Sequence, residues 1–228
     1  MKIKSFTFGL LITVMLSSCI VYHPQSTDIP LISKKNDLRV DAGISLIPSA
    51  QATISYGLTD KIAVQGFGSI GSEERYYLQA ATGLYKNLGN SQVFEVYGGF
   101  GHGYGNAYKG ANPGHLYGNY QLYFTQFNFG KIATEHSNFE VGVGVKAGYL
   151  NSYLTDDNYY SVKPETTPNV EYHDKSLLFE PVGVMRVGGS KLRFSLRLGG
   201  ALIYKFTNTE NNLPYSKVNI GLGLNYRL

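Results

Sequence analysis

The chain has 228 residues, with 27 Gly, 19 Tyr, 12 Phe, one Cys and no Trp. Its formal charge of +4 includes Lys2 and Lys4. Without them the basic excess is too small to point to nucleic acid. A single cysteine excludes a disulfide within the chain, and only 16% of residues are charged, so backbone ladders and packing must hold the fold.

The first element is a leader. Lys2 and Lys4 precede an apolar run from Phe6 to Leu16, broken by Thr7, Gly9 and Thr13. A basic stretch, a short apolar stretch and small residues before a cut make a secretory signal peptide. The run is too short to cross a bilayer comfortably, which takes about 20 residues. No comparably long apolar stretch follows Cys19, so hydropathy excludes a transmembrane helix in the mature chain. Leu16-Ser17-Ser18-Cys19 resembles a bacterial lipobox. That resemblance implies cleavage before Cys19, a diacylglycerol on its sulfur and an acyl chain such as palmitate on the new amino terminus. The expected organisation is a signal peptide over 1–18, a lipidated tether over 19–36 and a β-barrel domain over 37–228. Within the tether, Pro24, Ser26, Thr27, Pro30, Ser33, Lys34 and Lys35 read as a linker from lipid to domain.

From Asp37 onward the hydrophobic period is two, the period of a strand. Leu38, Val40, Ala42, Ile44 and Leu46 alternate with Arg39, Asp41, Gly43 and Ser45. Ala52, Ile54, Tyr56 and Leu58 alternate with Gln51, Thr53, Ser55 and Gly57, and a third strand starts at Ile62 after the Thr59-Asp60 turn. Further alternating runs begin near Tyr76, Phe94, Asn119 and Phe139. In the run near Asn119, Tyr120, Leu122 and Phe124 form the apolar set. The eighth run, Leu177 to Val187, is interrupted by Pro181; the ninth sets Leu192, Phe194, Leu196 and Leu198 against Arg193, Ser195, Arg197 and Gly199. The last sets Val218, Ile220, Leu222, Leu224 and Tyr226 against Asn219, Gly221, Gly223, Asn225 and Arg227.

The joints near Asp60, Asn87–Ser91, Lys131–Asn138 and Gly188–Lys191 are mostly short. Those near Gly71–Arg75, Gly105–His115, Ser152–Lys175 and Tyr204–Ser216 are mostly longer and polar. Short turns at one end and long loops at the other are the wiring of outer-membrane barrels. The expected fold is all-β: a single antiparallel up-and-down membrane β-barrel of about ten strands, with eight or twelve as alternatives. An even count places both chain ends on the short-turn, periplasmic side. Tyr76, Tyr77, Tyr85, Tyr117, Tyr120, Tyr149, Tyr153, Tyr159, Tyr160 and Tyr204 fall toward strand ends, as an aromatic girdle would. The soluble alternative, a periplasmic barrel or sandwich, would turn the apolar set inward and bind an apolar ligand there.

Three stretches carry a family resemblance. They are Tyr22-His23-Pro24 through Ile29-Pro30-Leu31-Ile32 to Lys35-Asn36, then Tyr56-Gly57-Leu58-Thr59-Asp60-Lys61, then Phe94-Glu95-Val96-Tyr97-Gly98-Gly99. They resemble small Bacteroidetes-type outer-membrane lipoproteins of the uncharacterised "outer membrane β-barrel domain" kind. The resemblance implies location and fold and names no chemistry. Ile20 to His23 lack the acidic run that resembles a surface-export signal, which favours an anchor in the inner leaflet of the outer membrane.

The candidate chemistry is sparse. His23, His102, His115, His136 and His173 show no metal-binding spacing. A lipid- or peptide-hydrolysing site would need a loop histidine and a carboxylate, such as His173 with Asp156, Asp157 or Glu171. The joint 152–175, with Asp156, Asp157, Asn158, Tyr159, Tyr160, Pro164 and Pro168, is a candidate surface for an extracellular ligand but forms no calcium-loop pattern. Gly98 to Gly105 opens no helix, so it is not a phosphate cradle. The stronger candidate is the polar face of the strands. Arg39, Asp41, Glu95, Glu140, Lys146, Glu180, Arg186, Arg193, Arg197 and Arg227 mostly lie on it. In a narrow barrel these charges converge, either lining a selective pore or pairing into a network that fills it. The paired network is the expected state. The expected role is non-enzymatic: a lipid-anchored outer-membrane barrel, structural or interacting through its surface, without cofactor or metal, with membrane lipid as its partner.

Overall fold

A computed structural model describes residues 20–22, 29–108, 115–134, 137–157, 170–207 and 213–228. The leader and Cys19 lie outside these residues, as do His23, His136, Asn158, Tyr159, Tyr160, Pro164 and Pro168. Every element is a strand: β1 (Leu38–Ser45), β2 (Ser49–Gly57), β3 (Ile62–Gly71), β4 (Tyr76–Gly89), β5 (Gln92–Tyr108), β6 (His115–Lys131), β7 (Phe139–Asp157), β8 (Val170–Gly188), β9 (Leu192–Gly200), β10 (Leu202–Lys205) and β11 (Val218–Arg227). Consecutive strands β1 to β8 pair antiparallel, β1 also pairs β11, β11 pairs β9, and β9 returns to β8. The ring is therefore closed. β10 follows β9 after Ala201 and pairs farther along β8, so β9 and β10 share one place in the wall and the barrel has ten positions.

The alternation decides which way the wall faces. Ile44, Ile70, Leu78, Val143, Met185, Leu198 and Leu222 stand on the outside and are exposed, Leu78 by 63% and Leu198 by 56%. Arg39, Gln51, Thr53, Gln65, Glu140, Ser195 and Asn225 point inward and are buried. A soluble barrel would have the reverse arrangement. An apolar exterior over a closed ladder is what a bilayer demands, because no unpaired backbone group can face lipid.

The wall is lopsided. β1 to β3 and β11 have 8 to 10 residues, whereas β5 to β8 have 17 to 19. The strands on the tall side run farther than the hydropathy pattern suggests. β7 continues to Asp157 and β8 begins at Val170, so much of the expected joint 152–175 is wall. Beyond the bilayer an outward side chain has no reason to be apolar, and alternation fades while the ladder continues.

Two expectations about facing need correction. Tyr120, Leu122 and Phe124 point into the barrel and are buried, whereas Tyr123 is outside. Tyr77 and Tyr85 are also interior, so they and Tyr120 are not part of an outer girdle. Tyr76, Tyr149, Tyr153 and Tyr204 do face out. The cause is an apolar core inside the barrel. Tyr22, Phe67, Tyr77, Tyr97, Leu116, Tyr120, Leu122, Phe124, Leu150, Leu154 and Leu178 pack together there.

The larger correction concerns the tether. Val21, Tyr22, Ile29, Leu31 and Ile32 are buried to within 1% of complete exclusion. They lie inside the barrel and are not a solvated linker. The wall is shaped to receive them. A Cβ at Gly105 would collide with the Val21 carbonyl oxygen, and one at Gly130 would lie 2.8 Å from the Leu31 side chain. A Cβ at Gly142 or Gly144 would press on Ile29, and one at Gly57 on Ile32 and the Lys34 carbonyl. Apolar side chains leave water for these notches at a gain of about 25 cal/mol per Å².

If Val143 and Leu196 face lipid, an arginine at either position should destabilise the barrel by about 2–4 kcal/mol. Equilibrium unfolding in lipid vesicles measures this. The same substitution at Gly144 meets Ile29 and Asn128 inside the barrel and should act by steric exclusion, expelling the amino-terminal segment.

Candidate functional site

The barrel interior has two tiers. The lower tier, near the short turns, is ionic. Strand register first brings opposite charges together: Glu140 lies directly across from Arg186, and Lys146 across from Glu180. Long side chains then cross the lumen. Arg39 on β1 donates from Nη1 to Glu140 Oε1 on β7 at 2.5 Å, and Arg186 Nη1 donates to the same oxygen at 2.6 Å. In the ring β1 and β7 are four wall positions apart by the shorter route, so this contact closes the lumen from wall to wall.

Asp41 is the second node. It receives Arg197 Nη2 at 3.2 Å, Arg186 Nη2 at 3.4 Å and the side-chain amide of Asn225. Asp37 is the third. Arg227 grips it with two bonds, Nε to Oδ1 at 2.9 Å and Nη2 to Oδ2 at 2.6 Å. Arg193 approaches Glu140 only to 3.9 Å and donates to the Ser190 carbonyl at 3.0 Å. Five guanidinium groups thus face three carboxylates. A further acceptor comes from the amino-terminal segment: Arg186 Nη2 donates to the Ile29 carbonyl at 2.8 Å.

Glu95 and Glu180 bind the same segment rather than another wall strand alone. Glu95 Oε1 accepts the Ile32 backbone N–H at 2.6 Å, and its Oε2 accepts Asn128 Nδ2 at 3.0 Å. Glu180 Oε1 accepts the Tyr22 hydroxyl at 2.7 Å. Lys146 reaches the Gln79 side-chain oxygen at 2.8 Å, Glu180 at 3.8 Å and the face of Phe124 at 4.7 Å from its centroid. Above them Tyr22 packs edge-on to Tyr120, which stacks on Tyr77.

All ten charged residues expected on the polar face are therefore inside or at the mouth of the barrel. Arg227 is partly exposed and the other nine are buried. They fall into a cluster on Glu140 and Asp41, the Arg227–Asp37 pair, and the separate Glu95 and Lys146–Glu180 groups. Sequence reasoning left out Asp37 and the neutral partners Asn128, Asn225 and Gln79. Asp37 shares the alternation of Arg39 and Asp41 and was legible on that ground. Tyr22 and Ile29 carried no such signal.

Of the hydrolytic pairings, His173 with Asp156 does not assemble. His173 points outward, stacks on Tyr153 and bonds Asn151, whereas Asp156 points inward and is buried. Glu171 shares the outer face of β8 with His173, and Asp157 lies across from His115. His102 sits beside the Tyr76 ring. Among the described residues no group of three or more His, Cys, Asp or Glu could hold a metal ion.

The sequence matches no family model and no curated protein. The fold is similar to the outer membrane protease OmpT from Escherichia coli, with TM-score 0.55 and 9% identity over 85% of this chain and 94% of that one. The N-terminal β-barrel domain of OprF from Pseudomonas aeruginosa matches with TM-score 0.35 and 12% identity over 85% of this chain and 98% of that one. The KdgM porin matches with TM-score 0.39 and 6% identity over 83% of this chain and 98% of that one. The likeness to OmpT is one of architecture: this chain has the fold of an outer-membrane β-barrel.

Glu140→Gln should cost about 3–5 kcal/mol, because Arg39 and Arg186 would remain buried without their shared carboxylate. Arg197→Ala should cost less, since Asp41 keeps Arg186 and Asn225. Paired unfolding curves in one detergent check both the sign and the order.

Proposed function

We propose that this chain is a sealed, lipid-anchored barrel of the outer membrane with a structural or surface-interaction role and no catalytic activity. The observation that supports sealing is the content of the lumen. An apolar segment of the chain and a cross-wall ionic network occupy the space a conduction path would need. A selective pore requires charged rings that face water. Here Glu140 bonds arginines from two walls, and Glu95 bonds the segment itself.

A structural role fits this design. The interior is tied from wall to wall by the Glu140 and Asp41 contacts, and the exterior offers lipid a continuous apolar surface. Recognition, where it occurs, belongs to the long-loop end, where Tyr104, Tyr117, Asn119, Tyr153, Glu171 and His173 line a shallow cleft of about 470 Å³ on the tall side. The anchor reading comes from Leu16-Ser17-Ser18-Cys19.

Two measurements test the proposal. In planar bilayers the purified protein should give no steady conductance, and a stable, charge-selective open channel would overturn the sealed reading. Intact mass of the mature protein should show Cys19 as its first residue, bearing acyl chains. Cys19→Ala should accumulate as unlipidated precursor, and a plain thiol at Cys19 in the wild-type protein would end the anchor hypothesis.

A further inference from the structure

The two ends of the described chain lie at opposite mouths of the barrel. Leu228 donates its N–H to the Leu38 carbonyl at 3.0 Å, at the short-turn end where β1 begins. The segment preceding β1 leaves from the same place. Asn36 N–H donates to the Gly57 carbonyl at 2.8 Å, and Ser33 N–H donates to Asp37 Oδ2 at 3.0 Å. It then runs into the lumen. Ile32 meets Glu95, and the Ile29 carbonyl meets Arg186.

Tyr22 lies much farther along. Its hydroxyl meets Glu180, six residues along β8 from Arg186 and away from the short turns. At the rise of a strand that is about 20 Å. Seven residue steps separate Tyr22 from Ile29, and a chain can cover that distance. At the far mouth the β10–β11 connection clamps the segment. Val21 and Tyr22 both donate N–H to the Pro214 carbonyl at 3.0 Å, and Ser216 N–H donates to the Tyr22 carbonyl at 3.0 Å. Tyr22 also forms a parallel bridge with Tyr215. Gly105, three residues from the far end of β5, gives Val21 its space.

We infer that the mature amino terminus passes through the barrel and emerges at the long-loop mouth, so the two chain ends lie on opposite faces of the outer membrane. Outer-membrane barrels present their long loops to the exterior and their short turns to the periplasm. The described chain starts at Ile20, one residue after Cys19, at the long-loop end. Resting on the lipid anchor proposed above, the acyl chains then enter the outer leaflet beside the long loops. The expected arrangement, both chain ends periplasmic with an inner-leaflet anchor, would place Ile20 at the opposite mouth from the one where Tyr22 is held. The wall notches support a built path over accidental occupancy, because they receive the segment at both mouths, Gly57, Gly130, Gly142 and Gly144 against residues 29–34 and Gly105 against Val21.

The test uses the full chain expressed in a Gram-negative host. One form carries an epitope between Cys19 and Ile20, and a second carries it after Leu228. Antibody binding is compared on intact and permeabilised cells. The first epitope should be bound on intact cells at least about tenfold more than the second, which should need permeabilisation. Both epitopes hidden, both exposed alike, or the order reversed would each overturn the inference. Because an inserted epitope can disturb assembly, a second variant reads the path directly. Tyr22→Cys with Tyr215→Cys, in the otherwise unchanged chain, should form a disulfide in the folded barrel, seen as a mobility shift lost on reduction and absent from each single variant. Failure to cross-link in a folded, heat-modifiable barrel overturns the path. The mass of the first tagged protein separates the two claims. A plain thiol at Cys19 with an exposed epitope refutes the anchor and supports the path, whereas an acylated Cys19 with a hidden epitope refutes the path.

Discussion

The structure depends on one constraint: a backbone N–H or C=O that faces lipid must be paired within the wall. Only a closed ladder satisfies that for strands. With ten positions in the closed wall, the width of the interior is set. A side-chain period of two then sends half of every strand into that interior. The bilayer claims the apolar half. What remains must satisfy itself in a space too narrow for free solvent, and the arrangement of Glu140, Asp41 and Asp37 is one solution. Each carboxylate takes more than one donor, and each draws on strands that are not neighbours in sequence.

The same constraint explains the choice of arginine in the lower tier. Five arginines and no lysine join the Glu140, Asp41 and Asp37 cluster. A guanidinium fork can bridge two acceptors on different walls without losing its charge. Arg186 does so, spanning Glu140, Asp41 and the Ile29 carbonyl. Lys146, a single point charge, stands apart in the upper tier against Glu180, Gln79 and Phe124. Buried ion pairs of this kind add little net stability over apolar packing, but removing one member leaves a costly orphan. The network therefore specifies which strands face one another across the lumen.

Most of the wall was legible because lipid imposes a strict pattern on it. β1, β9 and β11 show clean alternation, and their inward charges follow from parity alone. Legibility failed where lipid was not the environment of both faces. Tyr120, Leu122 and Phe124 look like an outward set, yet they pack against Tyr22 and Leu150 inside. The long ends of β7 and β8 look like loop because their outer faces rise past the apolar zone. The amino-terminal segment was least legible. Ile29, Leu31 and Ile32 are three apolar residues among prolines and lysines, with no period to declare a strand or helix. Their burial depends on notches supplied by Gly57, Gly130, Gly142 and Gly144, residues far away in sequence. The pairing of His173 with Asp156 was misleading for a simpler reason: parity on β7 and β8 sends the two to opposite sides of the wall, whereas Glu171 stays on the face of His173.

A segment held within a closed ring also sets an order of events. The wall consists of continuous ladders from β1 around to β8, and from there through β9 and β11 back to β1. Residues 20–22 and 29–32 lie inside that ring, so closing it first would leave them to be threaded lengthwise past the Arg39–Glu140 contact. The segment is then the surface on which the wall closes, and the notches at Gly57, Gly130, Gly142 and Gly144 are cut to its shape.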